Sequence, residues 1–207
     1  MTDAYNESVF INCPFDDGYK GLFYAIVFTV LHCGFTPRCS LEEDNALVNR
    51  LGKIEKMIAE CKYGIHDLSR IELNSNSLPR FNMPFELGIF FGARAFGSDD
   101  QRNKVALVLE KEKYSYQQYI SDLNGVDTKA HNNDVNKVIK LVRDWLKSAS
   151  KRTTIDGDLT IISDYNIFTG ELLPTFATEM GLEKNSLTFS DFCIVVAAAL
   201  RRNLKSH

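Results

Sequence analysis

A chain of 207 residues that is 44% hydrophobic, 25% charged and 11% aromatic has the make-up of a globular protein. At that length it can bury of order 70% of its unfolded surface, as one domain or one domain with an appendage. The formal net charge of -3, with lysines and arginines scattered along the chain, argues against a nucleic-acid partner.

Five cysteines, an odd number without C-x-x-C spacing or a signal peptide, predict reduced thiols and a cytoplasmic protein. The most apolar helical stretch, 24–34, is too short to cross a bilayer, which takes roughly 20 residues, so no membrane partner is expected.

In chain order, 8–15 reads as a buried strand stopped by Pro14. A helix follows, capped near Asp17 and stopped at Gly34. Residues 35–42 form a short strand that Pro37 confines to a sheet edge. The spacing of Leu47, Leu51, Ile54, Ile58 and Cys61 predicts an amphipathic helix over 45–64, closed by glycine. A strand over 63–70 precedes a polar loop, and within 82–97 a helix opens with Pro84 at its first position; Gly88 and Gly92 let it approach a neighbour closely. Residues 104–112 give a fourth strand, 114–131 a turn at Asn124–Gly125 with room for a short edge strand, and 135–150 an amphipathic helix carrying Trp145 in the core.

Alternating strands and helices imply an α/β domain over 1–152 with a mostly parallel sheet. From residue 153 the texture is helical, with a Thr188–Asp191 capping signal, so 153–207 is expected to be a C-terminal helical extension.

In open α/β sheets ligands bind outside the carboxyl ends of the strands. Three polar segments fall there: Asn12 to Asp17, His66 to Arg70, and Asn82 to Glu86. Glu86 is the only acid of its apolar run. Placed in the first helical turn, it either caps its own helix or, kept ionised by backbone N–H groups, meets positive charge growing on a ligand. His66–Asp67 with His32 lacks metal-ligand spacing, so no metal site is expected. No G-x-G-x-x-G or G-x-x-x-x-G-K is present, so no dinucleotide cofactor is expected. Cys13 reads as a buried structural thiol, Asp16 and Asp17 as helix-capping acids, and Arg70 and Arg80 either as phosphate contacts or as solvated loop arginines.

A strand ending in Pro-Phe, a later strand ending in H-D-L-S-R, and N-x-P-F-E-L-G opening an apolar helix together resemble the nucleoside 2-deoxyribosyltransferase and TIR-like superfamily over about residues 8–131. The resemblance implies a flavodoxin-like fold with residues 121–131 as its short final strand. It implies Glu86 as the carboxylate acting at an anomeric carbon and Asp67 as the acid meeting ribose hydroxyls. Asn12, Pro14 and Phe15 would lie beneath base or sugar, and Asn82, Met83 and Pro84 in the turn presenting the glutamate. Beside these, Ser69 is expected to help Asp67 orient the ribose and Arg70 to reach a ligand phosphate. The D-x-G-T loop of deoxyribosyltransferases is absent, and 68–81 is a longer insertion.

The expected activity is cleavage or transfer at the N-glycosidic bond of a nucleoside, nucleotide or NAD, with NAD a substrate and no cofactor, in a homo-oligomer acting as a bacterial defence effector. The rival is a module that binds a nucleotide signal without chemistry and relays occupancy to a partner through the helical extension. A third option is a pure interaction domain with Glu86 a cap.

Overall fold

In the computed structural model, residues 3–42, 45, 47–70 and 81–202 are described. Five parallel strands, β1 (Ser8–Asn12), β2 (Thr36–Arg38), β3 (Tyr63–Asp67), β4 (Val105–Glu110) and β5 (Lys129–Ala130), form one sheet in the order β2-β1-β3-β4-β5. This is the flavodoxin-like order, whose switch point lies between the carboxyl ends of β1 and β3. In register, Asn12 at the end of β1 stands beside His66 on β3, and Asp67 beside Leu109 on β4. All residues of β1 and β3 are buried, as expected for central strands covered on both faces.

The helices are α1 (Asp3–Glu7), α2 (Lys20–His32), α3 (Arg50–Glu60), α4 (Asn82–Phe96), α5 (Val135–Ser150), α6 (Asp158–Ile167), α7 (Leu173–Glu179) and α8 (Phe189–Arg202). On one face, α2, α5 and the extension α6–α8 share the main core with the sheet through Val27, Phe28, Val142, Phe168 and Phe192. On the other, α3 and α4 enclose a smaller cluster of Phe10, Ile54, Met57, Ile58 and Phe90. A π-helical turn, Phe168–Leu172, joins α6 to α7, and Thr188 and Asp191 exchange the hydrogen bonds of a capping box at the start of α8. No helix among the described residues is long and apolar enough to cross a membrane.

Four local expectations are corrected. α2 starts at Lys20, after a turn in which Tyr19 N–H donates to the Asp16 carbonyl, so Asp17 is not its cap. α3 starts at Arg50 because the Asn49 side chain accepts from Gly52 N–H at 2.7 Å; Leu47 lies outside the helix, 96% exposed, and Gly64 falls inside β3. α4 starts at Asn82, which makes Pro84 its third residue, where a missing N–H still costs nothing. Side chains built at Gly88 and Gly92 would meet open space, and Phe81, Phe85 and Phe96 are exposed, so α4 packs on one side only.

Candidate functional site

The crossover β1–α2 loop, the segment after β3 and the start of α4 meet at the switch point. Asn12, the last residue of β1, is buried and donates from Nδ2 to the Met83 carbonyl at 2.8 Å, with His66 Nδ1 at 3.1 Å. Burial, and then the charge of Lys104, push His66 down to about 3. The ring is therefore neutral, and Nδ1 receives the second amide proton. His66 Nε2 is buried with no hydrogen-bond partner among the described residues, its ring lying edge-on to Phe90 at 4.9 Å.

Asp67 closes β3 with no exposed surface. Its Oδ1 accepts from Ser69 N–H at 2.8 Å, and its Oδ2 from Tyr19 O–H at 2.5 Å and from His131 Nε2 at 3.0 Å. Burial pushes this carboxyl up, but hydrogen bonds from His131, Ser69 and Tyr19 more than offset it, holding it below the usual range. Tyr19, by the same burial and the facing carboxylate, is held well above its ordinary value and stays a donor.

Asn133 N–H donates to His131 Nδ1 at 2.9 Å, so the ring proton sits on Nε2, shared between Asp67 Oδ2 and Ser69 Oγ at 2.7 Å. A serine and an aspartate on the same imidazole nitrogen are not a nucleophilic triad, which needs them on opposite nitrogens. The cluster instead ties three loops together at the sheet edge. Asp67, expected to contact ribose hydroxyls, has no surface to do so in this arrangement.

Glu86 has the opposite environment. It is the fifth residue of α4, not in the first turn as expected, and is 7% exposed. Its carboxyl has no hydrogen-bond or ion-pair partner among the described residues. Burial pushes it up to about 7, against a weaker downward pull from Arg50 at the start of α3. The expectation of an acid kept ionised by helix N–H groups is therefore reversed, and Glu86 is not a cap. Cys13, beside it, is fully buried and its thiol is held well above its ordinary value by burial, then by Asp67, Cys39, Glu86 and Asp16, so it is no nucleophile.

The other expected residues divide. Pro14 and Met83 are buried, Asn82 is exposed, and Ser69 is spent on Asp67 and His131. Phe15 packs edge-on against Phe23 at 5.3 Å, on the side of the helical extension. Arg70 reaches across the β1–α2 loop to Asp16 at 3.4 Å, through space left by Gly18, where an added Cβ would lie 2.8 Å from Arg70 Nη2. Arg80 lies outside the described residues. A groove of about 780 Å³ opens along β4, lined by Phe91, Arg94 and Trp145 among others, but none of the expected residues borders it. Among the described residues no cluster of histidine, cysteine or acid side chains could hold a metal ion.

Sequence reasoning missed Tyr19, His131 and Arg50. Tyr19 and His131 carried a faint signal, each being a polar residue within a turn at a strand's carboxyl end; Arg50 carried none. No protein-family model, curated protein or solved structure matches the chain.

Proposed function

We propose that the protein cleaves or exchanges the N-glycosidic bond of a nucleoside, nucleotide or NAD-type ligand, with Glu86 acting at the anomeric carbon. The observation that carries this is a carboxyl without a partner among the described residues, 7% exposed, at the switch point and pushed up to about 7. An acid poised near neutrality serves as a proton donor or, once ionised, as nucleophile or counter-charge. The ionised form is poorly solvated where it stands, so a sugar carbon acquiring positive charge relieves that penalty. Such a group binds the oxocarbenium-like state better than the neutral substrate, which is the requirement for catalysis. Asn12, at the end of the neighbouring strand, ties down the turn of α4 that precedes Glu86, and the resemblance to TIR-like and deoxyribosyltransferase proteins supports the same reading. On that resemblance the chain works in a cytoplasm, as a homo-oligomer and a bacterial defence effector.

Product analysis by mass-resolved chromatography tests this. Wild type and Glu86→Gln are incubated with NAD and a panel of nucleosides and nucleotides. Free base is expected from wild type alone, with kcat/KM rising about tenfold per pH unit below about 7 and levelling above it, as Glu86 ionises. Equal base release by both proteins would sink the assignment.

A second reading is favoured by two contacts. Lys20 Nζ donates to the Asn185 carbonyl at 3.0 Å, and Phe23 packs on Phe189, so the extension grips the start of α2. A nucleotide sensor would use that grip to pass occupancy to a partner. Glu86→Gln would then alter binding of the same panel while no base is released by either protein.

A further inference from the structure

The proposed chemistry needs Glu86 held in one place, yet among the described residues its carboxyl has no partner to hold it. The nearest fixed point is Met83, one helical turn earlier and buried, whose carbonyl accepts from Asn12 Nδ2 at 2.8 Å. Asn12 is 3% exposed and closes β1, the strand beside β3. Its second amide proton goes to neutral His66, which is wholly buried and wedged edge-on between Phe10 and Phe90. Both amide protons are thus committed, and only one orientation of the amide satisfies two acceptors at once.

We propose that Asn12 is the positioning residue for Glu86: it pins the first turn of α4 to the end of β1, and so fixes where the carboxyl stands. The inference rests on the proposed role of Glu86. It departs from the expectation that Asn12 contacts the ligand, because both of its donors point into the protein. The geometry is that of a rigid strand end holding a helix start through a desolvated hydrogen bond. Its loss leaves the Met83 carbonyl without its donor and lets the turn shift and admit water. Among the described residues the charged and titratable groups that act on Glu86 or are acted on by it are Arg50 from α3 and Cys13 after β1, and neither is altered by changing Asn12.

The test uses the full chain labelled with ¹³C at glutamate Cδ, with the Glu86 signal assigned by its loss in Glu86→Gln. Asn12→Ala is expected to move the Glu86 titration down from about 7 toward the ordinary glutamate value of about 4.3. Where wild type releases base, kcat is expected to fall of order 10²-fold with KM little changed, as for a misplaced catalytic group. Asn12→Ser, a milder loss, carries the test if Asn12→Ala does not melt cooperatively, with a shift in the same direction. A variant that lowers Tm but leaves the Glu86 titration where it was would assign Asn12 a structural role only and overturn the proposal. If wild type releases no base at all, the glycosidic reading fails, and the titration still decides the role of Asn12.

Discussion

Glu86 and Asp67 are two buried acids at the ends of neighbouring elements, and their surroundings send them in opposite directions. Asp67 gains three donors and lies below the usual range; Glu86 gains none among the described residues and is pushed up to about 7. The consequence for stability has opposite sign. As pH rises between about 4.5 and about 7, the unfolded chain ionises Glu86 while the native protein resists, so Glu86 draws stability down across that window and the loss saturates above it. Asp67 contributes stability at neutral pH that is lost as pH falls through the acid range. Glu86→Gln keeps the shape and removes the charge. It is expected to be more stable than wild type by about 3 kcal/mol at alkaline pH, a gain that shrinks to nothing in acid. Urea unfolding of both proteins across pH measures this, and a constant difference at every pH would show that the carboxyl is not held protonated. A residue that costs stability where it stands belongs to function more readily than to packing.

At the scale of elements, β1, β4 and α5 were legible because each carries apolar residues of the right period and length. The boundaries that matter to the site were less so. Pro84 marked the start of α4, but the helix begins two residues earlier, and that offset moves Glu86 out of reach of the first-turn N–H groups. Asn49 begins α3 where the leucine spacing continued upstream, because a side-chain cap on Gly52 N–H outweighs periodicity. Tyr19 and His131 were invisible as a pair, since what joins them is a carboxylate on a third segment.

Gly64 shows the same limit. Its place inside β3 reads as a terminator in sequence, but a Cβ there would lie 2.7 Å from both His66 Nε2 and the Phe90 ring. β3 and α4 come this close because the residue has no side chain. Gly64→Ala is expected to destabilise by about 1–3 kcal/mol through overpacking. It is also expected to disturb His66, the support of Asn12, so that thermal unfolding and base release drop together. A Tm equal to wild type would mean that the two elements separate without cost.

Over the whole molecule, the change of texture after residue 152 suggests an appendage, yet the packing makes the extension a wall of the main core. Ile161, Phe168, Phe176, Phe192, Val195 and Val196 are buried against α2 and its neighbours, with Tyr24 stacked on Phe192 at 3.9 Å. His32 on α2 meets Asp164 on α6 at 2.8 Å, and Tyr165 O–H donates to the Gly21 carbonyl. Fully burying each large apolar side chain is worth about 1.5–3 kcal/mol. Six of them therefore rival the whole net stability of a domain, about 5–15 kcal/mol. Without the extension, α2 would present Phe28, Tyr24 and Phe23 to water beside the loop that carries Tyr19 and Phe15. A chain ending at residue 152 is thus expected to lose cooperative thermal unfolding and to aggregate, rather than to persist as a free α/β domain. Calorimetry and size-exclusion chromatography of that truncation read the outcome. A monodisperse fragment with a sharp transition would show that the sheet and its two helical layers stand alone, and that the extension is held to them as a separable part. In that case its contact with the start of α2 becomes a movable one, the arrangement a signal relay needs.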